Sequence, residues 1–197
     1  MDRIGIQTLK DELSADVAAA SAAFEMARQR FAMAGPVGLE ATAFHLARLY
    51  NIVEQFALRV AKAFENHIDD ESGCHSELMR RVSLEISGVR PRLWPAELAA
   101  PLRQLRGFRH VGVHSYELAL ERERLALVMR DAESIVAALK PACEAFIAEV
   151  LRRTDEEEAW ISVYSVCSVG KNLSVSLVGP RIVLGSAPVQ RIEPNPF

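Results

Sequence analysis

Between Leu102 and Leu120 the chain reads Leu-Arg-Gln-Leu-Arg-Gly-Phe-Arg-His-Val-Gly-Val-His-Ser-Tyr-Glu-Leu-Ala-Leu, which sets three arginines, two histidines, one tyrosine and two glycines close together. No other part of the sequence concentrates groups able to grip a phosphate and move a proton. An imidazole titrates near pH ~6.5 and can give or take a proton at neutral pH. A guanidinium stays charged and complements a phosphate that gathers charge in a transition state. An arginine and a histidine beside one phosphodiester suffice for metal-free RNA cleavage. The histidine helps the ribose 2′-OH attack or protonates the leaving 5′-oxygen, and the arginine holds the pentavalent phosphate. Arg109 and His114 are the candidates for these two roles, with His110 and Tyr116 beside them.

Helical geometry limits this chemistry. At about 100° per residue, Arg109 and His114 point roughly 140° apart and cannot converge on one phosphate from mid-helix. Either the helix ends or bends near Gly112, or a second subunit completes the site. Competing chemistries fit less well. His110 and His114 have the i, i+4 spacing of a metal pair with Glu117 as a third ligand, but no His-Glu-x-x-His or Glu-x-x-His pattern occurs. There is no nucleophile elbow, Walker loop or Gly-x-Gly-x-x-Gly loop. No metal and no cofactor is therefore expected.

Charge is informative by its distribution. The net charge of −3 excludes a globally basic nucleic-acid binder. Yet from Arg80 to Arg109 there are seven arginines (80, 81, 90, 92, 103, 106 and 109) against two acids, Glu85 and Glu97. Arg103 and Arg106, just ahead of Arg109, are the expected RNA contacts. A solvated helix face with weak surface ion pairs would account for any single one of these arginines equally well.

These groups need a scaffold, and the apolar pattern supplies a helical one. Leu9, Leu13, Val17, Ala20, Phe24, Ala27 and Phe31 recur in steps of three and four and predict a helix over 9–34, after a loose lead-in over 1–8. Gly35-Pro36 ends it. Leu39, Ala43, Leu46, Tyr50, Val53, Ala57, Val60 and Phe64 mark a second helix with a seam suited to shallow-angle packing. A polar loop over 66–73 precedes a short helix over 76–86. A fourth helix follows Pro95 and runs to about Val111, with Gly112 at its end. The last covers 121–154, with Pro141 expected to kink or split it. Beyond the acidic run 155–158, Trp160 to Val169 and Leu173 to Val178 alternate apolar residues with serines, which predicts either a β-hairpin or an irregular tail. The expected fold class is an all-α antiparallel up-down bundle over 9–154 with a separate tail over 155–197.

Cys74, Cys143 and Cys167 are odd in number and widely spaced, which suggests a reducing compartment. The N-terminus has no basic region followed by an apolar run, and no stretch of eighteen apolar residues occurs. A cytoplasmic protein without a membrane span is expected.

The segment Arg109-His110-Val-Gly-Val-His114-Ser-Tyr116 resembles the Arg-x4-His-x-Tyr motif of HepT-like proteins, within the HEPN superfamily of helical ribonucleases. Leu-Arg-Gly-Phe-Arg-His before the second histidine, Tyr-Glu-Leu after it, and the stretch from Glu77 to Pro91 are similar too. The resemblance covers about 10–153 and leaves the tail unmatched. It implies a HEPN bundle that forms a homodimer, with two motif copies meeting in a cleft, and a toxin-type endoribonuclease that works without metal. Arg109 and His114 carry over as catalytic residues. His110 fills a position where the family accepts a polar residue. Tyr116 carries over as the residue that a partner, a minimal nucleotidyltransferase antitoxin, modifies with AMP (AMPylation), adding charge and bulk beside the phosphate site. The alternative is a catalytically inert bundle that acts as binding partner of a nucleotidyltransferase.

Overall fold

The computed structural model describes residues 1–65, 74–114 and 120–169, and of 74–76, 110–114 and 162–169 the backbone alone. The described residues form five α-helices: α1 (Arg3–Phe31), α2 (Pro36–Phe64), α3 (Cys74–Val82), α4 (Ala99–His114) and α5 (Arg122–Val169), with one 3-10 turn, Ala96–Leu98, leading into α4. The chain is all-α, a helical bundle, with no strand among the described residues. Two compact units divide it, Met1–Arg152 and the remainder from Arg153.

In the first unit, α1 and α2 are long because their apolar residues stay in phase for many turns. Ile6, Leu9, Leu13, Ala20, Ala23 and Ala27 of α1 are buried with Leu46, Leu49, Tyr50, Val53, Phe56, Ala57 and Val60 of α2. A short turn reverses the chain between them. Gly35 takes φ +83° there, and a Cβ on Gly38 would stand 2.8 Å from the Met33 carbonyl oxygen, so the first turn of α2 lies against the end of α1. Arg59 of α2 holds Asp16 of α1 at 2.9 Å.

The later helices continue the alternation. Trp94 stacks on Phe56, with centroids 6.2 Å apart, whereas Arg109 lies over Tyr50. The chain therefore advances through α4 while stepping back along α2, which makes the two antiparallel. At the start of α5, Arg122 donates to the carbonyls of Phe31 and Met33, at 2.7 Å each, with its guanidinium 4.8 Å from the Phe31 ring centroid. A cation there satisfies carbonyls that the end of α1 leaves open. Farther along, Phe146 meets Phe64 edge-on at 5.7 Å. So α5 runs antiparallel to α1. Leu125, Ala132, Ile135, Leu139 and Phe146 close the core.

Several boundaries differ from the sequence pattern. The expected lead-in over 1–8 is helical from Arg3, because Asp2 Oδ1 accepts the Gly5 N–H at 2.8 Å and Ile6 is buried. The short third helix covers 74–82 rather than 76–86. Gly112 does not end α4, which reaches His114. Pro141 does not split α5: Leu139 and Phe146 are buried on either side of it, and packing outweighs one missing backbone bond. The alternation from Trp160 to Val169 is not a strand, since α5 continues through it to Val169. The Glu-rich run ahead of it favours helix, and so short an alternation is too weak a signal against it. The expected loop over 66–73 and the tail beyond 169 lie outside the described residues. Among the described residues no helix is long and apolar enough to cross a membrane.

Candidate functional site

Helix α4 carries the arginines. Leu102 and Leu105 are buried and fix its inner face. Arg103 is exposed, and Arg106 and Arg109 are half-buried on the flank toward α2. Two residues of α2 receive Arg109. Tyr50 and Glu54, one turn apart and hence on one side of α2, place a ring and a carboxylate against the same guanidinium. Arg109 Cζ is 5.5 Å from the Tyr50 centroid, and Nη1 is 3.6 Å from Glu54 Oε2. Glu54 is 8% exposed at its side chain and Arg109 is 35% exposed. The arginine is thus held from below and open from above, as a group that contacts a ligand must be.

Tyr50 is fully buried, beside Glu54. Burial pushes its phenol well above the ordinary tyrosine range, the nearby Glu54 carboxylate adds to this, and Arg106 and Arg109 act against it. Tyr50 therefore presents a neutral ring to Arg109. Neither Tyr50 nor Glu54 stands out as functional in the sequence. The one legible signal is an acid set within the apolar seam of α2, beside Val53 and Ala57.

His110 and His114 are both in α4, His114 as its last residue, and their side chains lie outside the described atoms. Tyr116 lies outside the described residues altogether. The helix is unbroken between Arg109 and His114, so the roughly 140° between their directions stands. The alternative of a helix ending before His114 is removed, and convergence on one phosphate calls for a bend or a second subunit.

The arginine excess read along the chain is partly cancelled in space by acids outside the counted window. Arg80 pairs with Glu77. Arg90 is fully buried: its Nε and Nη2 donate to Glu65 Oε1 at 2.9 and 2.8 Å, and its guanidinium also bonds the carbonyls of Arg81, Leu84 and Pro91. Arg81 Nε lies 2.6 Å from the other Glu65 oxygen. A tight turn closed by Ile86 and Arg90, with Gly88 at φ +74°, aims Arg90 inward. Arg90 is a staple between the end of α2 and the segment after α3, not a phosphate contact. Among the described residues no group of three or more His, Cys, Asp or Glu is arranged to hold a metal.

The sequence model of a family described as HepT-like protein matches residues 41–150, from α2 through the α4 arginines to α5. Neither a curated protein nor a solved structure matches the chain significantly.

Proposed function

Because the chain belongs to the HepT-like family, we propose that it is a metal-independent endoribonuclease of the toxin type, with Arg109 and His114 as its catalytic pair. The 2′-OH of the RNA attacks the adjacent phosphorus, and the P–O5′ bond breaks. A 2′,3′-cyclic phosphate and a 5′-OH form, and no water is consumed. His114 takes the 2′-OH proton or supplies the proton that the 5′-oxygen needs. Arg109 stabilises the charge that builds on the phosphorane oxygens. Arg103 and Arg106 guide the RNA backbone.

The observation that carries this reading is the seat of Arg109. Arg90 is enclosed on every side. Arg109 instead rests on a buried ring and a buried carboxylate with its outer side in solvent. The unbroken helix to His114 favours a homodimer, in which one subunit supplies the arginine and its partner the histidine to one cleft. AMPylation of Tyr116, two residues after His114 in the sequence, by a nucleotidyltransferase antitoxin blocks the site.

The test is cleavage of RNA by the purified protein in EDTA. Activity should survive chelation and disappear in both Arg109→Ala and His114→Ala. Equal cleavage by either variant removes that residue from the site. Incubation with the cognate transferase and ATP should add one AMP to Tyr116 by mass spectrometry, and an unchanged mass in an inhibited pair would overturn the modification.

A further inference from the structure

The solvent face of α2 carries an aromatic and cationic patch that the catalytic pair does not use. Phe44 is 65% exposed, although it belongs to a helix whose other phenylalanines are covered or half-covered. It meets His45 nearly at right angles, 77° between planes with centroids 5.3 Å apart. Arg48 follows Phe44 by one turn and is exposed. From α1, Arg30 reaches the same region, with Nη1 3.7 Å from Met33 Sδ beside the first turn of α2. Among the described residues no carboxylate pairs with Arg30 or Arg48. His45 senses both: burial first, then Arg30 and Arg48, hold its imidazole below the ordinary range, and its Nδ1 is buried without a hydrogen bond.

The patch lies near the Arg109 seat. Phe44 is six residues from Tyr50, about 9 Å along the axis and about 120° around α2, and ten residues from Glu54, about 15 Å and about 80°. Because α4 runs antiparallel to α2, the step from Tyr50 toward Phe44 is also the direction in which α4 proceeds from Arg109 to His114. An exposed ring flanked by cations without acidic partners is the arrangement that single-stranded nucleic acid uses, a π-face for a base and guanidinium groups for the adjoining phosphates. A second copy fits the patch poorly. A two-fold contact through Phe44 would bring Arg30 and Arg48 of each subunit toward those of the other.

We infer that this face of α2 is a second RNA contact, where Phe44 stacks on an unpaired base of the substrate strand and Arg48 and Arg30 grip the neighbouring phosphates. This rests on the ribonuclease reading and specifies its substrate as single-stranded on the side of the site toward Phe44. Phe44 is a binding residue, and cleavage chemistry stays with Arg109 and His114.

The experiment uses the full chain and a fluorescein-labelled 2′-O-methyl RNA 12-mer, which lacks the attacking hydroxyl and cannot be cleaved. Phe44→Ala should raise its Kd about 5- to 100-fold, the range of one missing base stack. Phe44→Trp should restore binding and Phe44→Leu should not. Arg48→Gln should lower the slope of log K against log salt by about 0.7, one phosphate's worth on a single strand. Binding unchanged in Phe44→Ala, or as tight in Phe44→Leu as in the wild type, overturns the inference. Dissociation of a dimer by Phe44→Ala in sedimentation, with RNA affinity unchanged, overturns it and gives the face to a second copy. The two readings fail separately. If Arg109→Ala abolishes cleavage of ordinary RNA while Phe44→Ala binds normally, the second contact alone falls. If the wild type neither binds nor cleaves RNA, both fall.

Discussion

The carboxylate of Glu54 lies 3.6 Å from the guanidinium of Arg109, joining the buried side of α2 to the half-open flank of α4. This contact converts a flexible side chain into a directed one. The neighbouring Tyr50 ring fixes the guanidinium from a second direction. An arginine without these supports would sample many more rotamers.

Glu54→Gln keeps the shape of the support and removes its charge. It is expected to lower single-turnover RNA cleavage by on the order of 10²-fold, the scale of a catalytic group misplaced by about an ångström, with little change in RNA affinity. Cleavage at the wild-type rate would show that Arg109 needs no partner on α2.

Tyr50→Phe retains the ring beneath Arg109 and deletes only its hydroxyl. Stability by urea denaturation should stay within about 1 kcal/mol of wild type or rise. Tyr50→Leu removes the cation–π contact, about 0.5–1 kcal/mol, and leaves a gap in the core, so it should be clearly less stable than Tyr50→Phe. A large loss in Tyr50→Phe would mean the hydroxyl is used.

Glu65→Ala leaves the fully buried Arg90 without its carboxylate. Breaking such a pair costs about 3–5 kcal/mol, so thermal denaturation should show a midpoint lower by roughly 10 °C. Arg90 itself faces no solvent, so it adds nothing to the salt dependence of RNA binding. In Arg103→Gln and Arg106→Gln the pattern reverses, with near-normal stability and a salt slope smaller by about 0.7 for each phosphate no longer neutralised.

Acid should act through His45. Its folded-state pKa is depressed by burial and by the charges of Arg30 from α1 and Arg48 from α2. Between the folded and unfolded values the unfolded chain binds more protons, so this contribution to stability is present above the unfolded value near ~6.5 and is lost as pH falls through the folded one. The melting temperature of wild type should therefore drop more between pH 7 and pH 5 than that of His45→Gln. Identical profiles would remove His45 as the titrating group.

The sequence by itself determined the helical class and the order of the helices, because apolar residues in steps of three and four have only one way to be buried together. It also singled out Arg109, His114 and Tyr116 as candidates for chemistry, since their types and spacing are legible without coordinates. It misplaced helix ends, at Asp2, Gly112 and Val169, where one cap or one glycine competes with cooperative packing. Tertiary structure alone decided which arginines are available. Arg90 and Arg109 look alike in the chain, but Glu65 draws one wholly inside while Tyr50 and Glu54 hold the other at the surface. A side chain's exposure depends on residues dozens of positions away, and no local pattern carries that information.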